Sequence, residues 1–243
     1  MVFLHGRGDN AQSFAAALSR CRTSAGLTLF EAFPAFKWVF PQAPTRELAS
    51  SPGTRWPQWF DICNVRDFSE REELQAEGLR ESVPAVRNLL RGEVEQVEGR
   101  WDRIVLAGIS QGAATGVHVL ANLDVPEGGL GAFLGFSCRF PLPREKLSEV
   151  RDVLGLADVP AHDAVLRQTP ILLEHCIDDP LVLVRNGRAL TQTLRSFGAY
   201  VEWKEYASGG HWFNSPAGVD DAVKFIKAQV TENKRSSRCC GFM

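Results

Sequence analysis

Gly108-Ile109-Ser110-Gln111-Gly112 sets a serine between glycines, directly after the apolar run Arg103 to Ile109 and before a stretch of helical period. A hydroxyl thrust out of so tight a turn occupies strained backbone, and the small residues around it let strand and helix approach each other. Serine is a poor nucleophile until a base takes its proton, so this chemistry needs a histidine and an acid at the same place. Both follow in the order Ser, Asp, His: the acid in the run His175-Cys176-Ile177-Asp178-Asp179-Pro180, and His211 after Gly209-Gly210. The oxyanion formed at an attacked carbonyl requires two N–H donors. Gln111, next after the serine, offers one, and Arg7 in the glycine-flanked turn Leu4 to Asp9 offers the other.

Strands must deliver these groups to one edge of a sheet. Short β-branched or aromatic runs at Val2 to His5, Lys37 to Pro41, Arg103 to Ile109, Gly131 to Ser137, Ile171 to Cys176 and Val201 to Tyr206 read as strands, several continuously apolar as doubly covered strands are. Helical period between them predicts helices over Ala11 to Cys21, Glu72 to Val97, Gln111 to Ala121, Val184 to Phe197 and Ala217 to Gln229. The alternation predicts an α/β fold with a mostly parallel sheet. Pro84 is expected to kink or restart the second helix. Ala43 to Ser69 and Arg139 to Gln168 resist the alternation and read as connections that build or cover the site.

FLHGRGD, FPQAP at Phe40 to Pro44, WPQWFDI at Trp56 to Ile62, GISQGA, HCIDDPLV and GGH together resemble the acyl-protein thioesterase and carboxylesterase family, also called phospholipase/carboxylesterase hydrolases, over residues 1 to 230. The resemblance implies an α/β-hydrolase fold with helices on both faces of the sheet, and hydrolysis of fatty-acyl thioesters on proteins or of small carboxylic and lysophospholipid esters. It also implies no cofactor and a cytoplasmic location. In that family the acid stands immediately before the proline, which selects Asp179 over Asp178. Family members carry a strand ahead of the oxyanion strand, whereas this chain begins at that strand, so an N-terminal edge strand is expected to be missing. Ala113 and Cys176 stand where the family usually has glycine; both are small, so the turns are expected to survive.

Other uses of these residues define what a structure must decide. Ser110 could be an ordinary helix N-cap. His5 is expected to brace the oxyanion loop, and His118 and His162 to be structural or exposed. No histidine pair has metal-ligand spacing, so no metal is expected. Trp56, Trp59, Phe60, Trp212 and Phe213 could line an acyl pocket or simply fill the core. Arg80, Arg87 and Arg91 read as a solvated helix face. Gly6-x-Gly8-x-x-Ala11 with Glu31 some twenty residues on matches a dinucleotide fingerprint, but leaves Ser110, Asp179 and His211 without roles. A third reading keeps the hydrolase fold as a non-catalytic ligand-binding homologue, although all three members of the triad are present.

Composition excludes several classes. With 243 residues, 44% hydrophobic and 23% charged, the chain is an ordinary globular one, and a net charge of −2 without a basic block argues against nucleic acid. No apolar run reaches membrane-spanning length, and the opening residues, with no basic region ahead of a long apolar stretch, are not expected to be a secretory signal. Six cysteines without a CxxC pair suggest neither a disulfide framework nor a zinc cluster. Residues 1–230 are expected to form one domain and 231–243 a flexible tail. Its end, Cys239-Cys240-Gly241-Phe242-Met243 after Lys234, Arg235 and Arg238, has a CaaX-like pattern that would permit lipidation at Cys240 or Cys239 and peripheral membrane association.

Overall fold

The computed structural model of the chain describes residues 1–126 and 128–232. Five parallel strands form the central sheet in the order β1 (Val2–Leu4), β4 (Val105–Ile109), β5 (Ala132–Phe136), β6 (Ile171–Cys176) and β7 (Val201–Tyr206). A separate antiparallel pair, β2 (Thr45–Leu48) and β3 (Ser51–Pro57), lies in the chain between β1 and the helix α3 (Glu73–Glu95). The Lys37 to Pro41 strand expected from sequence is reduced to a single parallel bridge, Val2 to Val39. Phe3 N–H donates to Val39 O and Val39 N–H to Met1 O, each at 2.9 Å, so this segment runs beside β1 without forming a strand of its own.

Alternation along the buried strands divides the core in two. Leu4, Leu106, Phe133, Leu173 and Val201 pack on one face with α3 (Glu73–Glu95), α4 (Gln111–Asn122), α5 (Leu147–Leu154), α6 (Ala164–Gln168) and α7 (Val184–Ser196). Phe3, Val105, Ala107, Ile109, Leu134 and Phe136 pack on the other with α1 (Ala11–Leu18), α2 (Leu29–Ala32) and α8 (Ala217–Ile226). Covered on both faces, the strands read as continuous apolar runs. The helix expected to reach Gln229 leaves α geometry after Ile226 and continues as a π turn, and α1 ends three residues before Cys21.

Pro84 does not break α3, which is one helix of 23 residues. Its buried stripe of Leu79, Val83, Val86 and Leu90 against the sheet outweighs the lost backbone hydrogen bond. Of the three arginines expected on a solvated face, Arg80 is exposed but bound to backbone, and Arg87 is not solvated. Arg80 donates to Val153 O and Leu154 O at the C-terminus of α5, and Arg87 is buried with its guanidinium on Ala157 O and Asp158 O. The 43–69 connection holds β2 and β3, and the 139–168 connection holds α5 and α6, where loops were expected. Among the described residues no helix is long and apolar enough to cross a membrane. Cys239 and Cys240, the expected lipidation sites, lie outside the described residues.

Candidate active site

In a parallel sheet the C-terminal ends of all strands share one edge, and four of them supply the candidate groups. Leu4 pairs with Gly108 and Cys176 with Tyr206, so the loops after β1, β4, β6 and β7 leave the sheet at that edge. Ser110 follows β4 with φ 53° and ψ −120°, a conformation in which an L side chain is strained. Its neighbours must therefore be small. A Cβ on Gly108 would come within 2.5 Å of the Ala113 nitrogen, and one on Gly112 would overlap the Leu4 carbonyl. Ser110 N–H donates to Phe136 O at 2.8 Å, fastening the turn to the next strand.

The N-cap explanation of this serine fails, because its hydroxyl makes no capping hydrogen bond to α4. The N–H groups of Gln111 and Arg7 likewise have no acceptor among the described residues. For Gln111 this is the ordinary state of a first helical residue, at the positive end of the helix dipole. Its side chain does the fastening: Oε1 accepts from Trp59 N–H at 2.8 Å and Nε2 donates to Phe60 O at 2.6 Å. The Arg7 side chain turns to Gln58 Oε1 at 2.8 Å and to Asp61 at 3.4 Å. His5 Nδ1–H donates to Gly6 O at 2.8 Å while its Nε2 accepts from Ala43 N–H at 3.1 Å, which braces the loop as the sequence suggested.

His211 Nδ1 donates to Asp179 Oδ2 at 2.8 Å, which leaves Nε2 without a partner among the described residues. The other oxygen of Asp179 accepts from Leu181 N–H and Val182 N–H, both at 2.9 Å, and His175 Nε2 lies 3.3 Å from Oδ2. The carboxylate is buried, which alone would raise its pKa. Hydrogen bonds from His175 and His211, the His211 charge and the Val182 N–H override that effect and hold it far below the usual carboxylate range. Asp178 does something else, accepting from Gly210 N–H at 2.8 Å and Gly209 N–H at 3.3 Å in the turn that carries His211.

A cavity of about 610 Å³ opens onto both Ser110 and His211. Trp56, Phe60 and Trp212 line it, with Leu181 and Val65 exposed at its margin. Of the two uses open to Trp59 and Phe213, pocket wall or core, both take the second. Trp59 is buried with its indole N–H on His5 O at 2.8 Å, and Phe213 packs between Phe3 and Phe136. The sequence reading overlooked Arg139, a buried cation on the cavity wall. Its one outward signal is a lone charge within the apolar segment that leaves β5. Glu31, the acid of the dinucleotide reading, closes a capping box with Thr28 at the start of α2. Among the described residues no group of three or more His, Cys, Asp or Glu side chains is placed to hold a metal ion.

Comparison with known proteins places the chain in a family. The Phospholipase/Carboxylesterase family pattern matches residues 1–230. An acyl-protein thioesterase 1 from Gibberella zeae is 30% identical over 233 residues, covering 95% of this chain and 90% of its own. The crystal structure of Zea mays acyl-protein thioesterase 2 superimposes with a TM-score of 0.69 at 26% identity, covering 94% of this chain and 92% of that one. Arabidopsis thaliana SOBER1, at 22% identity and a TM-score of 0.70 over 95% of this chain and 98% of that one, shares the fold. The chain belongs to the phospholipase/carboxylesterase family of α/β-hydrolases.

Proposed function

We propose that the chain is a serine esterase or thioesterase, cleaving acyl esters or acylated proteins through an acyl-serine intermediate. The observation that carries this reading is the buried Asp179 bound to His211 Nδ1 beside a cavity that also exposes the strained, uncapped Ser110. With Nδ1 committed to Asp179, His211 Nε2 takes the Ser110 proton as Oγ attacks the carbonyl carbon. The carbonyl oxygen becomes an oxyanion held by the N–H groups of Gln111 and Arg7. Collapse of that intermediate breaks the bond to the alcohol or thiol, which receives the proton from His211. Water, deprotonated by His211, then releases the acid and restores Ser110.

Asp179 is the orienting acid, and Asp178 positions the turn. The apolar walls given by Trp56, Phe60 and Trp212 suit an acyl chain. The test is hydrolysis of matched p-nitrophenyl esters and acyl thioesters from two to sixteen carbons, with Ser110→Ala as the blank. Ser110-dependent turnover is expected. Equal rates for wild type and Ser110→Ala would refute the reading, and a long-thioester preference would favour acylated proteins over small esters.

A further inference from the structure

Arg139 has no role in the acyl-transfer steps, yet it is 8% exposed and forms part of the cavity wall. Among the described residues it has no carboxylate partner. Among the described residues its guanidinium makes one hydrogen bond, from Nη2 to the neutral Gln75 Oε1 at 2.5 Å, and it lies 3.9 Å from the centre of the Phe68 ring and 5.9 Å from that of Phe60. Nε and Nη1 have no protein acceptor among the described residues. Burial pushes its pKa down to about 10, so the group remains a cation at neutral pH.

Keeping a cation out of water without a counter-ion is unfavourable, and a folded chain ordinarily pairs it or solvates it. Carboxylates near the cavity are engaged elsewhere or lie at its mouth. Asp61 pairs with Arg7 at 3.4 Å, and Glu72, in the adjoining cavity that shares the Arg139 wall, pairs with Arg144 at 3.5 Å. Asp9 is half-buried and accepts from Asn10 N–H, while exposed Arg66 adds a further positive charge to the lining. The cavity that holds Ser110 therefore carries an excess of positive charge, and Arg139, deeply buried in its wall, lies over the Phe68 ring, 3.9 Å from its centre.

We propose that Arg139 binds a carboxylate on the substrate, so that the enzyme favours acyl compounds carrying a negative charge near the scissile carbonyl over neutral ones of equal length. A planar guanidinium with two donor nitrogens free is suited to a carboxylate, and the Phe68 ring and Gln75 hold it in place. The kinetic part of this inference rests on Ser110 chemistry; the binding part does not.

The carboxylate could lie on the acyl group or on the leaving group, and two pairs of substrates separate these. Mono(4-nitrophenyl) adipate is compared with 4-nitrophenyl hexanoate, and 4-(hexanoyloxy)benzoate with phenyl hexanoate. In at least one pair wild type is expected to favour the anion in kcat/KM by about tenfold or more, a charged hydrogen bond's worth. Arg139→Gln should abolish that ratio, chiefly through KM, with Arg139→Lys in between. Ratios near one in both pairs for wild type, or ratios unchanged by Arg139→Gln, would overturn the proposal. Calorimetry on Ser110→Ala needs neither turnover nor a substitution at 139. Monomethyl adipate should bind more tightly than dimethyl adipate, or 4-(hexanoyloxy)benzoate more tightly than phenyl hexanoate, and equal binding within both pairs would overturn the proposal even if hydrolysis is seen. If wild type hydrolyses none of the four esters, the esterase reading fails, and calorimetry alone decides for or against Arg139.

Discussion

Replacing Asp179 by asparagine tests how the buried carboxylate sets the state of His211. One oxygen of Asp179 accepts from both Leu181 N–H and Val182 N–H, so an asparagine must place its carbonyl there and its amide nitrogen where the other oxygen faced His211 Nδ1. The amide then donates to Nδ1, the ring proton moves to Nε2, and the ring can no longer accept a proton from Ser110. Catalysis would require the disfavoured tautomer and would lose the charge-assisted bond to the imidazolium, itself worth about 1.5–3 kcal/mol. With the tautomer cost added, the barrier rises by roughly 4–5.5 kcal/mol, a loss of about 10³–10⁴ in kcat. Both backbone N–H groups keep an acceptor, so the fold should persist. The assay is p-nitrophenyl butyrate turnover beside a thermal melt. A folded Asp179→Asn protein retaining more than a tenth of wild-type kcat would refute the reasoning. Asp178→Ala serves as control, expected to cost no more than about tenfold because water can replace it at the exposed Gly209 and Gly210 amides.

Gln111→Ala strands the buried Trp59 N–H and Phe60 carbonyl and is expected to lower unfolding free energy by about 2–4 kcal/mol in urea titrations; no change would mean that the clamp contributes nothing. Glu174 is buried with both oxygens unpaired, and burial followed by the nearby Asp221 charge raises its pKa well above the usual range. The native state therefore holds a proton that the unfolded chain releases above about pH 4.3, so this residue makes stability fall as pH rises from there. Glu174→Gln removes that dependence, and its melting temperature relative to wild type should be higher at pH 7.5 than at pH 4; an equal difference at both would contradict it. Trp56→Ala should lower kcat/KM more for long acyl chains than for acetyl esters, since this exposed indole forms cavity wall under Arg7; an equal effect on both would remove it from the acyl-binding surface.

Much of the site was legible because its constraints are local. GxSxG after an apolar run encodes the strained turn directly, and β6 and β7 were read with the bounds they have, since their runs end abruptly at turn residues. Asp179 and His211 meet because four strand ends share an edge. The β2–β3 pair was not legible because Thr45, Arg46, Glu47 and Ser51 to Arg55 show no apolar alternation. Lys37 to Pro41 has a strand's composition, yet its pairing stops at Val39, which composition does not encode. Trp56 and Trp59 are the same residue three positions apart, one exposed and one buried, and only the tertiary contact to His5 separates them. Arg139 escaped notice because a charge beside apolar neighbours gives no hint that its counter-ion is missing.

The central claim is that Ser110 is a nucleophile activated by His211 and Asp179. A fluorophosphonate probe with peptide mapping by mass spectrometry measures this directly, since the probe adds covalently only to an activated serine. The account predicts near-stoichiometric modification on the peptide containing Ser110, lost in Ser110→Ala and strongly slowed in His211→Ala. Modification at another serine, or none in the folded wild-type protein, would contradict it.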